Sequence, residues 1–167
     1  MPTPTFVPLS TYTVPSTTTS ITLSGISTSY RHLYMTISHQ PSTNSQMLFM
    51  RPNGVPNAYG FGNTRLAYRN GGSKFGGNGT INEWNLKGIS NSDYLKYNSS
   101  STLFMNYSQT TVTRMHLTRS TSGNQAIGML NQTYTYAPNG ATSSINIYVY
   151  DGSIAAGMVI SLYGIAG

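Results

Sequence analysis

The chain reads as an all-β protein, an antiparallel β-sandwich of jelly-roll type. Three observations predict it. Apolar residues recur at every second position in short runs, the pattern of strands with one buried face. Clusters of Gly, Asn, Pro and Ser separate those runs and supply the reversals. Asp, Glu, Lys and Arg make up only 7% of the residues, against about 25% in an average domain, so long surface helices lack their usual wet-face residues.

Residues 1–19 carry Pro2, Pro4, Pro8 and Pro15 among Thr and Ser. Proline fixes φ and donates no hydrogen bond, so an extended arm is expected, followed by a single sandwich domain over 20–167. Phe6, Val7 and Leu9 are the arm's apolar anchors, either for a neighbouring chain or for an edge of its own sheet. Ile21 and Leu23 alternate with Thr22 and Ser24 up to a turn at Gly25. Leu33, Met35 and Ile37 alternate with Tyr34, Thr36 and Ser38. The run 47–50 is apolar on both faces and is expected to be a central strand, ended by Pro52-Asn53-Gly54. From 53 to 80 the chain is rich in Gly and Asn without clear periodicity, and a long exposed loop is expected. Short strands are expected again at 81–86, 103–107, 112–117, 126–130, 134–136, 145–150 and 159–163. Leu33, Met35, Ile37, Ile145, Ile147, Val149 and Leu162 should form the core.

A chain of 167 residues suits one domain with a sizeable core. It has no cysteine, hence no disulfide or thiolate metal site. No signal-peptide pattern opens it and no apolar run approaches ~20 residues, so no membrane association is expected. The net charge of +6 arises from a scarcity of acids, which are Glu83, Asp93 and Asp151 only. Such a balance draws nucleic acid, anionic membranes or acidic protein surfaces, or is simply a weakly positive exterior.

Parts for catalysis are few. Paired-carboxylate chemistry would need two of the three acids, and nothing in the sequence places them together. There is no Gly-x-Ser-x-Gly elbow and no HExxH, and His32, His39 and His116 stand in no recognisable motif. The expectation is a non-enzyme with no catalytic residue, cofactor or metal. Basic and aromatic residues interleave at Tyr68-Arg69 and Lys74-Phe75, which suits base stacking with phosphate contacts and suits a solvated loop equally well; nucleic acid is not the expected partner. Tyr34, Tyr148 and Tyr150 fall opposite the aliphatic residues of their strands. There they are candidate partner contacts or the cover of a second packed face.

Two stretches carry a resemblance. Thr5-Phe6-Val7-Pro8-Leu9, then Ser20-Ile21-Thr22-Leu23-Ser24-Gly25-Ile26 and Tyr30-Arg31-His32-Leu33, follow the order T-[Y/F]-x-P-[I/L], S-[V/I]-T-[F/L]-S-x-I, Y-x-x-L. Arg51-Pro52-Asn53-Gly54 and Asn57-Ala58-Tyr59 correspond to an R-F-N-G and an N-Y pair, with Pro52 a departure. Near the end, Ala155-Ala156-Gly157-Met158 and Ser161-Leu162-Tyr163-Gly164-Ile165 match F-A-A-G-S-x-F-S-L-Y-G-I, with Ile154 and Met158 replacing Phe and Ser. Over roughly the first 60 and last 25 residues, the chain resembles small virion structural proteins of tailed bacteriophages.

The resemblance implies a β-sandwich component of the virion, assembled in the host cytoplasm. It implies a homotrimer that is either a capsid decoration (cement) protein, binding major capsid or other virion proteins, or a tail or fibre-head module, and does not choose between them. The tail module, the alternative reading, would bind a host receptor or carbohydrate, for which Tyr59, Phe61, Tyr68 and Trp84 are available. A domain starting near Met1 favours decoration, since it leaves no room for a shaft.

Overall fold

The computed structural model describes residues 5–39, 48–54, 60–69, 72–76, 84–85, 98–111, 114–122, 128–136, 140–149 and 152–166. Along 60–85 and 128–136 it describes the backbone pairing alone. Among these residues there is no helix, and the strands form two antiparallel sheets. Numbered in chain order, the large sheet runs β1 (Phe6–Thr13), β12 (Val159–Ile165), β3 (His32–His39), β8 (Asn98–Met105), β9 (Arg114–Ser122), β10 (Gly128–Tyr136), β5 (Gly60–Arg69) and β6 (Gly72–Gly76). The small sheet runs β2 (Ser20–Leu23), β11 (Ile145–Val149), β4 (Leu48–Pro52) and β7 (Trp84–Asn85).

Period-two alternation sorts each strand into an inner and an outer face. On β12, Ile160, Leu162 and Gly164 are buried while Ser161, Tyr163 and Ile165 are partly exposed. Directly opposed residues share a face, so the register Gly164↔Leu33, Leu162↔Met35 and Ile160↔Ile37 extends the inner face across β3. The small sheet contributes Ile21, Leu48, Met50, Ile145 and Ile147 to the same core. All seven expected core residues are buried, none more than 8% exposed. β4 lies between β11 and β7, the central place expected of a strand apolar on both faces.

Toward β9 the inner face turns polar. Thr102 and Thr118, both buried, join hydroxyls at 3.0 Å. His116 is fully buried and meets Phe104 edge-on at 4.6 Å between ring centroids.

Three expectations are corrected. The arm over 1–19 is not separate from the domain along its length, because Phe6–Thr13 is an edge strand paired with β12 from Phe6↔Ile165 to Thr13↔Val159. An edge position tolerates Pro8, and the register irregularity beside it takes up the interrupted ladder. The loop expected over 53–80 contains β5 and β6, joined by pairs from Arg65↔Gly76 to Arg69↔Gly72. Backbone bonding from β10 to β5 provides the ladder that glycine-rich composition hides. The two strands expected at 126–130 and 134–136 are one, β10, held on both sides by β9 and β5.

The residues that carry the sequence resemblance lie at the joints of this frame. A Cβ at position 164 would overlap the Tyr30 ring at Cγ, Cδ1 and Cδ2, so the glycine of Tyr163-Gly164-Ile165 is what seats Tyr30 against the sheet. Asn53 and Gly54 take positive φ, 51° and 63°, and make the reversal after β4. From that turn the Asn53 Nδ2 donates to the Ala141 carbonyl at 2.9 Å, and its Oδ1 accepts from the Ser143 and Ser144 amides at 2.9 and 3.2 Å. Gly157, at φ 84°, donates its N–H to the Val14 carbonyl, and Val14 donates back to the Met158 carbonyl. Buried Tyr107 donates its hydroxyl to the Ser27 carbonyl, and burial raises its pKa, which keeps the donor protonated.

Ile147→Ala should lower stability by about 2–5 kcal/mol, since the side chain is fully buried between the sheets. Gly164→Ala should cost about 1–3 kcal/mol by forcing the Tyr30 ring from its seat. Denaturant midpoints check both, and Tyr30→Ala in the same chain should recover part of the second loss; full additivity of the two changes would refute the contact.

Candidate functional site

The outer face of the large sheet is built by strand register. Tyr163, Tyr34, Leu103 and Leu117 form one row on the adjacent strands β12, β3, β8 and β9. A second row continues it at the sheet end, with Phe6 against Ile165 on one side, half-buried His32 beside Ile165 on β3, and Met105 against Met115 on the other side. Phe6 meets Tyr34 edge-on at 6.0 Å, and Tyr34 lies 6.4 Å from Tyr163. Phe6 is 52% exposed on β1, at one side of this face, and Leu117 is 40% exposed on β9, at the other.

One row further along the same strands, the face becomes hydrophilic. Thr11, Ser161, Thr36, Ser101 and Arg119 lie opposite one another in succession, and the Thr11 and Ser161 hydroxyls are 3.2 Å apart. A concavity of about 450 Å³ is lined there by Thr36, Ser38, Ser99, Ser101, Arg119 and Ser161. At the opposite end, exposed Arg31 precedes His32. Burial, reinforced by the Arg31 charge, lowers the His32 pKa below the ordinary imidazole value. Its Nδ1 accepts the Asn106 amide N–H at 3.0 Å, a bond that needs the neutral ring.

Of the residues expected at partner contacts, the structure brings together Phe6 and Tyr34. Val7 is half-buried opposite Gly164, and Leu9 packs against the core. Tyr148 does not offer an exposed contact. It is 7% exposed, with the Arg51 guanidinium 4.4 Å from its ring centre and the Phe49 ring stacked at 5.7 Å. For Tyr68, Arg69, Lys74 and Phe75 the backbone pairing between β5 and β6 is described and the side chains are not; Tyr150 lies outside the described residues. The same holds for the aromatic platform of the alternative reading, where Tyr59 lies outside and Phe61 and Trp84 are placed by backbone alone.

Sequence reasoning missed Tyr163, Leu103, Leu117, Met105 and Met115 as surface residues. The available signal was apolarity at both parities, in Leu103-Phe104-Met105 and Met115-His116-Leu117, where one face is core and the other is not. Among the described residues no three His, Cys, Asp or Glu side chains come together as metal ligands.

No protein-family model matches the chain, and no curated protein matches it. Among solved structures it is similar to the galectin LEC-6 of Caenorhabditis elegans, at TM-score 0.36 and 10% identity, over 94% of this chain and 96% of that one. It is also similar to the protein of unknown function SO2946 from Shewanella oneidensis MR-1, at TM-score 0.27 and 11% identity, over 96% of this chain and 76% of the other. The antiparallel β-sandwich rests on the strand pairing itself.

The His32 geometry sets a sign for pH dependence. As pH falls below 6.5, the unfolded chain takes up the imidazole proton before the folded one does. Stability therefore declines with falling pH between 6.5 and the lower folded value, and is fully present above 6.5. His32→Gln should flatten this part of the melting-temperature profile relative to wild type; an unchanged profile would remove His32 from the account.

Proposed function

We propose that this chain is a structural component of a tailed-phage particle, a capsid decoration (cement) protein that works by protein contacts and not by catalysis. The observation that carries the reading is the partly exposed aromatic and aliphatic face of the large sheet, set on a sandwich held by joints at Tyr30, Asn53, Val14 and Tyr107. Side chains of this kind are enriched in the cores of protein interfaces. The resemblance at both ends of the chain gives the particle as the setting. It falls on residues that make the frame, such as Asn53, Gly157 and Gly164. Assembly as a homotrimer belongs to the same proposal.

Antibody labelling of intact particles should place the protein across the head. Label confined to the tail tip would replace decoration with the receptor-binding alternative, and unlabelled particles would overturn the virion reading. Light scattering should give three copies per assembly; a monomer at high concentration, with isolated copies on the particle, would contradict the trimer. Deleting residues 2–9 removes Phe6 and Leu9 and strips part of β12 of its partner strand, so the melting temperature should fall. An unchanged melting temperature would return this segment to the role of a free arm.

A further inference from the structure

We infer that the outer face around Tyr34 and Leu117 seats an acidic protein surface of the particle shell, and not a second copy of this chain. The inference rests on the virion reading for where that partner is found. Three features select the occupant.

The first is extent. Strands about 4.8 Å apart and successive same-face residues about 7 Å apart give two rows over four strands an area on the order of 200–300 Å². Stable interfaces bury about 800 Å² per partner, so this apolar centre needs a polar surround to complete it.

The second is the sign of that surround. Exposed Arg119 follows Leu117 at the next outward position on β9, and exposed Arg31 lies beside His32 at the other end. Two positive charges thus bracket the apolar rows.

The third is what the chain itself can supply. It has nine Lys and Arg against three acids, a net +6, and all three acids fall outside the described residues. A self-complementary pairing sets the same patch against itself, which brings these arginines toward their own copies, and a ring-closing contact, as in a trimer, would have to answer them from the chain's three acids alone. A partner with apolar side chains opposite Leu117 and carboxylates opposite Arg31 and Arg119 turns that repulsion into attraction, and the net charge steers its approach.

The test uses particles grown without this chain, to which purified protein is added back. Hydroxyl-radical oxidation of the partly exposed Met105 and Met115 is compared for free and particle-bound protein. Attachment is measured for wild type, Leu117→Ser, Arg119→Glu and, as a control on the other sheet, Ser20→Glu. The expected result is protection of both methionines on the particle. Attachment should weaken about tenfold or more in Leu117→Ser and Arg119→Glu with melting temperatures near wild type, and stay unchanged in the control. Wild-type attachment should also fall as salt rises.

Firm attachment with neither methionine protected and both variants neutral would overturn the face while leaving the virion reading intact. Protection that grows with concentration in the free protein would assign the face to a second copy and overturn the inference. Failure of the wild type to attach would remove the virion reading, and the shell partner with it.

Discussion

The ring of Tyr30 lies on the backbone of Gly164, and this contact sets how the last strand meets the strand that starts two residues after Tyr30. With Tyr30 seated, Leu33 falls opposite Gly164, Met35 opposite Leu162 and Ile37 opposite Ile160. A one-residue slip would turn that whole inner row outward and bring Tyr163 and Tyr34 into the core. The same register places β12 between β3 and β1, so both ends of the chain close on one sheet. Tyr107, reaching the Ser27 carbonyl, and Ser108, reaching the Tyr30 carbonyl, hold the segment that carries Tyr30.

Once the register is fixed, the outer face follows without further choice. The alternation that buries Leu33 and Met35 presents Tyr34, and the alternation that buries Phe104 and His116 presents Leu103, Met105, Met115 and Leu117. One register row further on, Thr36, Ser101 and Arg119 keep the face wet. The sheet therefore carries an apolar end and a hydroxyl-rich end on a single surface. The small sheet is organised differently, since its outward Tyr148 is closed over by Phe49 and Arg51.

The all-β class, the central place of β4 and the core residues were legible because alternation is a local property that a linear reading captures. What escaped it depends on neighbours distant in sequence. Phe6–Thr13 stayed open between an arm docked on a neighbour and an edge strand of its own sheet because its partner, β12, lies some 150 residues away, as the Thr11–Ser161 contact shows. β5 was hidden by glycine and asparagine, and its ladders to β10 and β6 reveal it. Tyr148 stayed open between a partner contact and a packed face because its cover comes from β4. The exposure of Leu117 was not legible, because an apolar residue on a strand gives no sign of which face will meet water.

The central claim is that the sandwich is a frame whose large sheet is the contact face. A cryo-electron microscopy reconstruction of particles carrying the protein tests it most directly, by showing which sheet lies against the shell. The account predicts the outer face of β12, β3, β8 and β9 toward the shell, with β2, β11 and β4 toward solvent. A reconstruction with the small sheet against the shell and Leu117 in open solvent would contradict it.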